Sequence, residues 1–144
     1  MSPVSDAQRG HLVFACGESL YAVPAERAAE VVSLPQLTRV PGAPPHLLGV
    51  FAHRGEVIPV IDIALLVGAK GETASRRAVL VRVPRGSLAL TASRGAGGSV
   101  LTGDGAPLGT SGVQAHLRGP MKAAAGEVAV IEPEGIFEHL SKGA

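Results

Sequence analysis

Nineteen glycines and eleven prolines punctuate this 144-residue chain, and the runs between them are rich in valine. Glycine supplies backbone angles that other residues resist. Proline ends hydrogen-bonded ladders, and β-branched side chains favour extended backbone. Short Val-rich runs bounded by Gly and Pro therefore predict many short strands joined by turns. The length suits one domain with a real core. Only Phe14, Tyr21, Phe51 and Phe137 are aromatic, so that core has to be built from Val, Leu, Ile and Ala. Hydrophobic residues make up 46% of the chain, too many for a disordered one.

Residues 1–10 are polar and read as a flexible N-terminus, leaving 11–144 as a single domain. Strands are expected over 11–16 and 20–23 with a turn at Gly17, one helical turn over Ala25–Ala29, and extended chain over 30–34. Residues 40–45 are Pro-rich, and a short helix is expected over 45–48. Strands at 49–53 and 57–62 flank the polar turn Arg54-Gly55-Glu56. A short helix over 63–67 ends at Gly68, and 70–76 is a polar loop. Strands at 77–83 and 87–92 follow. Seven glycines between Ala92 and Gly112 predict irregular chain there, with 100–101 and 113–117 as weak strand candidates. Residues 127–131 form a clear strand, and 133–140 a terminal helix presenting Ile136, Phe137 and Leu140 on one face. No internal repeat is evident. Spacing alone reaches an all-β fold, as two small barrels or sandwiches packed together.

The net charge is +1, and Arg76-Arg77 is the only adjacent basic pair. Nucleic-acid binding needs a basic stripe, usually with aromatic platforms, and is not supported. Cys16 is the sole cysteine; it can form no internal disulfide, which suits a reducing compartment. No apolar run approaches the roughly 20 residues that cross a bilayer, so direct membrane insertion is not expected. No basic-then-apolar leader opens the chain. The reading is cytoplasmic.

Chemistry is scarce. His11, His46, His53, His116 and His139 share no close ligand spacing, so no metal is expected. Cys16 reads as a small buried hydrophobe. Gly68-Ala69-Lys70-Gly71 and Gly95-Ala96-Gly97-Gly98 lack the order of a phosphate loop. Glu56 and Asp62 would sit about 20 Å apart along one strand, too far to share a substrate, and suit solvated turn and capping roles. No catalytic residue and no cofactor are assigned.

Order along the chain is more telling. Tyr21 ends a strand. Glu30-Val31 follows, then Val40-Pro41-Gly42-Ala43-Pro44. Next come Gly49-Val50, Arg54-Gly55, Pro59-Val60 and Asp62. This ordered set, from about His11 to Gly68, resembles the CheW family of chemotaxis coupling proteins. Ala52 departs from it, standing where the family usually has Asn. So does the second half until Leu117-Arg118-Gly119 and the strand ending Ile131-Glu132-Pro133. The resemblance implies two small β-barrel subdomains sharing a core, with short helices and a C-terminal helix. It implies a cytoplasmic adaptor joining a methyl-accepting chemoreceptor tip to the regulatory domain of a CheA-type histidine kinase. Glu30, Val31, Gly49, Phe51, Arg54 and Gly55 are its partner-binding candidates, with Glu30 and Arg54 paired. If the glycine-rich stretch removes part of one barrel, kinase binding would be lost. The chain would then be an accessory resembling FrzB that binds receptor alone. An enzyme with an unrecognised site is the competing class; it requires convergent polar groups in a pocket.

Overall fold

A computed structural model of the chain describes residues 10–68, 76–103 and 105–141. The expected flexible N-terminus, apart from Gly10, and the polar loop, apart from Arg76, lie outside them. In chain order the strands are β1 (Gly10–Cys16), β2 (Ser19–Pro24), β3 (Ala28–Ser33), β4 (Leu47–His53) and β5 (Glu56–Ile61). Helix α1 (Ile63–Leu66) comes next, then β6 (Arg77–Val83), β7 (Gly86–Thr91), β8 (Arg94–Val100) and β9 (Ala106–Pro107). A 3₁₀ helix (Gly112–His116), β10 (Leu117–Ala123), β11 (Gly126–Ile131) and α2 (Pro133–Ser141) complete the chain.

These strands form two sheets, in the orders β8-β1-β2-β11-β10-β9 and β3-β6-β7-β5-β4. Each curls until its ends meet. Thr102, just past β8, bonds both ways with Lys122 of β10 at 2.9 and 2.8 Å. Thr38, past β3, does the same with Val50 of β4 at 2.9 Å in each direction. Both sheets are thereby closed into small barrels, which removes most exposed ladder edges.

The barrels repeat one plan. Hairpin β1–β2 corresponds to β6–β7, the parallel pair β2–β11 to β7–β5, and hairpin β10–β11 to β4–β5. The sequence carries the repeat too: His46-Leu47-Leu48-Gly49 matches His116-Leu117-Arg118-Gly119, and Gly55-Glu56-Val57 matches Gly126-Glu127-Val128. The carbonyls of His46 and His116 accept from the N–H groups of Asp62 and Glu132, each at 2.9 Å. Gly49 and Gly119 sit at matching bulges with φ of 152° and 157°. The absence of a repeat expected from the sequence is therefore corrected.

Other expectations change as well. Residues 25–27 make only a turn before β3, and Leu47 begins β4 where a short helix was expected. Residues 112–116 are 3₁₀ rather than strand, and β10 lies where Gly119-Pro120 masks the alternation. The largest correction is β8. Its glycines form a regular strand paired with β1 from Val100↔Gly10 to Arg94↔Ala15, with one bulge. Ladder hydrogen bonds need no side chain. The entropic cost of each glycine, about 0.5–1 kcal/mol, is offset by pairing with an apolar, well-buried β1.

Three apolar clusters hold the fold. One gathers Ala22, Leu101, Met121 and Val128 in the first barrel, and another Ile58, Val60, Leu80 and Ala89 in the second. The third joins them, drawing Phe14, Tyr21 and Val23 from one barrel and Ile61, Val79 and Leu90 from the other. Ile136 of α2 belongs to this shared cluster. Helix α2 is seated closely: a Cβ on Gly135 would strike the His116 ring, and one on Gly86 would lie 2.8 Å from Phe137.

Partial burial, and then the charge of His139, lower the pKa of His46. The unfolded chain consequently takes up that proton first as pH falls below about 6.5. Stability present above that value is lost as pH drops toward the folded pKa. Urea midpoints should decline between about pH 7 and pH 5.5, and His46→Gln should flatten the decline. An equal slope in the variant would remove His46 from this account.

Candidate functional site

The polar turn singled out in the sequence is a two-residue hairpin loop. His53 pairs with Glu56 across it, and Arg54 and Gly55 both have positive φ, 51° and 82°. That is the geometry of a type I′ turn, which favours Asn-Gly because both central residues are left-handed. Among the described residues Arg54 is the only non-glycine with positive φ. A long side chain is held in a backbone conformation it resists.

Beside the turn lies Glu30, in the middle of β3. Its Oε2 is 3.5 Å from an Arg54 guanidinium nitrogen, within ion-pair distance. A closer partner was missed in the sequence: Nε2 of His53 lies 2.7 Å from Glu30 Oε1. The hydrogen bond from His53 lowers the Glu30 pKa; loss of hydration opposes it, and the Arg54 charge adds to the lowering. An ionised carboxylate can only accept, so Nε2 carries the donated proton. The His53 ring is braced edge-on by Phe51, with centroids 6.0 Å apart. Alternation along β4 was the available signal, since His53 and Phe51 are two residues apart and share a face.

The candidates divide by depth. Arg54 and Gly55 are exposed, and Glu30 and His53 are partly so. Val31 is 44% exposed, a large apolar side chain left in solvent next to a charge cluster. Phe51 is buried among Ile58 and Leu80 and supports the surface from below. Gly49 is buried too, under the Thr38 bridge, so its task is to let backbone pass backbone.

Val31 and Glu30 also line a groove of about 200 Å³ at the seam of the two barrels, with Leu12, Ala28 and Gly98. Its lining is almost wholly apolar. A wider cleft of about 740 Å³ opens by β10 and the start of α2. At its rim Arg118 pairs with Glu132 at 2.8 Å, and Glu134 with Arg27 at 2.9 Å. Volume alone favours this cleft; exposed apolar Val31 beside Glu30 favours the seam.

A second polar cluster is sealed between the barrels. The Cys16 thiol donates to Asp62 Oδ1 at 3.3 Å, and the same oxygen accepts the N–H of Leu65, capping α1. Asp62 is fully buried, not solvated as its capping role suggested. Burial pushes the Cys16 pKa up, which disfavours the thiolate. Glu56, by contrast, faces Arg82 and Ser87, each at 3.3 Å. Among the described residues no three His, Cys, Asp or Glu groups converge as metal ligands.

Comparison with known proteins gives a consistent picture. The profile of the CheW-like domain matches residues 10–139. A stretch of 59 residues is 42% identical to chemotaxis protein CheW of Helicobacter pylori, covering 41% of this chain and 36% of that protein. Protein FrzA of Myxococcus xanthus is 41% identical over 59 residues, again 41% and 36% of the two chains. These matches span about a third of the relatives' length. The crystal structure of scaffolding protein TtCheW from Thermoanaerobacter tengcongensis superimposes with a TM-score of 0.70 at 22% identity, covering 86% of this chain and 88% of that one. That likeness speaks to the fold.

Proposed function

Because the chain belongs to the CheW-like domain family, we propose that it is a non-enzymatic cytoplasmic adaptor coupling chemoreceptors to a CheA-type histidine kinase in a chemosensory array. The observation that carries this reading is the seam: an apolar groove lined by exposed Val31 and by Glu30, whose carboxylate holds His53 and Arg54. A receptor's cytoplasmic tip is a helical hairpin, and an amphipathic helix laid in a groove is recognised by apolar anchors with charges at the rim. Glu30, Val31, Arg54 and Gly55 offer that combination, with Phe51 and Gly49 holding it in shape. The relatives support the direction, one being a chemotaxis protein and another a scaffolding protein. No helix among the described residues is long and apolar enough to cross a membrane.

The receptor-only alternative rested on a broken barrel. With β8 paired to β1 and Thr102 closing the ring, that reason lapses, and two-partner coupling is the better reading. The enzyme reading finds little support: the Cys16 thiol is buried with its pKa raised, and at the larger cleft Arg118 pairs with Glu132 and Glu134 with Arg27.

Arg54 gives the sharpest test. A left-handed turn position prefers Asn, so an arginine kept there costs stability, as strained backbone at functional sites often does. Arg54→Asn should raise stability by about 0.5–1 kcal/mol while weakening receptor binding about tenfold or more, near 1.4 kcal/mol. Urea melts and calorimetric titration with a receptor-tip fragment and, separately, a kinase regulatory domain would measure both. Unchanged receptor affinity in a more stable variant would sink the docking assignment.

A further inference from the structure

Resting on the docking reading, which puts Glu30 and Arg54 at the partner surface, we propose that His53 is the positioning residue of that surface. It holds the Glu30 carboxylate so that Arg54 is left to take a carboxylate from the partner. The geometry argues the division of labour. His53 meets Glu30 Oε1 at 2.7 Å, a short charge-assisted bond, whereas Arg54 reaches Oε2 with one nitrogen at 3.5 Å. The side chain of His53 is 21% exposed and that of Arg54 is 70% exposed. Buried Phe51 braces the imidazole, so it cannot swing away without losing a ring contact. Arg54 stands on a left-handed residue at the tip of the hairpin, with a fork built to grip a carboxylate bidentately.

The surroundings leave Arg54 as the outward charge. Glu30 faces His53 from β3, and Arg54 follows it in the turn. Glu56 lies opposite on β5, but its carboxylate is occupied by Arg82 of β6 and Ser87 of β7, each at 3.3 Å. With Glu30 Oε1 held by His53, the exposed Arg54 fork is left to grip a partner carboxylate. Val31, 44% exposed and lining the groove with Glu30, supplies the apolar half of the contact. The partner chemistry is a helical segment presenting an acidic side chain next to an apolar one.

The test titrates a soluble chemoreceptor-tip fragment into the wild type, His53→Gln, His53→Leu and Arg54→Asn, with circular dichroism confirming the fold throughout. The same fragment with its acidic side chains changed to amides serves as the second probe. Wild type should bind the acidic fragment about threefold tighter than the amide fragment. Glutamine still donates to Glu30, so His53→Gln should keep that preference. Leucine cannot, and His53→Leu should bind the acidic fragment about threefold more weakly with its affinity for the amide fragment unchanged. A preference lost in His53→Gln, or wild-type binding by His53→Leu, overturns the proposal. If Arg54→Asn weakens binding while both His53 variants behave as wild type, this inference alone fails. If Arg54→Asn also binds as wild type, the docking reading fails with it.

Discussion

Gly49→Val should lower the stability of this protein by about 2–6 kcal/mol, from backbone strain of about 1–3 and overpacking of about 1–3. Gly49 has φ 152°, a conformation side-chain-bearing residues rarely adopt. A Cβ there would lie 2.8 Å from the Thr38 carbonyl oxygen and 2.9 Å from Leu37 Cβ. The first is backbone, held by the Thr38–Val50 bridge that closes the second barrel, so relief means opening the ring. A domain of this size has about 5–15 kcal/mol in total. Gly55→Ala is the control: its φ is also positive, at 82°, but nothing lies within 4 Å. It should cost only the left-handed penalty, about 1–2 kcal/mol. Urea midpoints with unchanged slopes would measure both. A Gly49 variant as stable as the Gly55 one would mean that the bulge does not carry the close approach. Named from the motif as a partner-binding candidate, Gly49 is by this geometry a folding position.

How much of the molecule is legible in the sequence depends on where the information lies. Strands of strong alternation, such as Arg77–Val83 and Gly126–Ile131, were legible because one period decides them. The turn at Arg54 and the Glu30–Arg54 pair were legible through an ordered motif. Strand β8 was not, because its stability resides in the partner: Leu12 and Val13 of β1 supply the side chains that Gly97 and Gly98 lack. The internal repeat was hidden by its arrangement. The counterpart of β6–β7 is β1–β2, at the far end of the chain, and the interval from Gly49 to Gly55 is one residue shorter than that from Gly119 to Gly126. His53 escaped notice because a lone histidine carries no motif. Only the register of β3, β4 and β5 brings it to Glu30.

Phe14→Ala should destabilise by about 3–5 kcal/mol, the cost of deleting a fully buried aromatic ring, and should bring down both barrels together. Phe14 is 0% exposed and packs on Tyr21 with ring centroids 6.2 Å apart. Their cluster contains Val79, Leu88 and Leu90 of the second barrel as well as Val23 of the first, so neither barrel has a complete core of its own. Tyr21 is the only tyrosine, and there is no tryptophan, so intrinsic fluorescence reports this shared cluster while far-ultraviolet dichroism reports strands everywhere. In urea the two signals should coincide for the wild type. They should shift together in Phe14→Ala, as one cooperative transition requires. A residual dichroism transition left at the wild-type midpoint would mean separable barrels. The proposed docking surface is tied to the same cluster. Leu12 and Ala28 line the seam groove and pack against it from the two barrels. Loosening Phe14 therefore loosens the groove, and receptor affinity should fall in step with stability even though Phe14 is too deep to meet a partner.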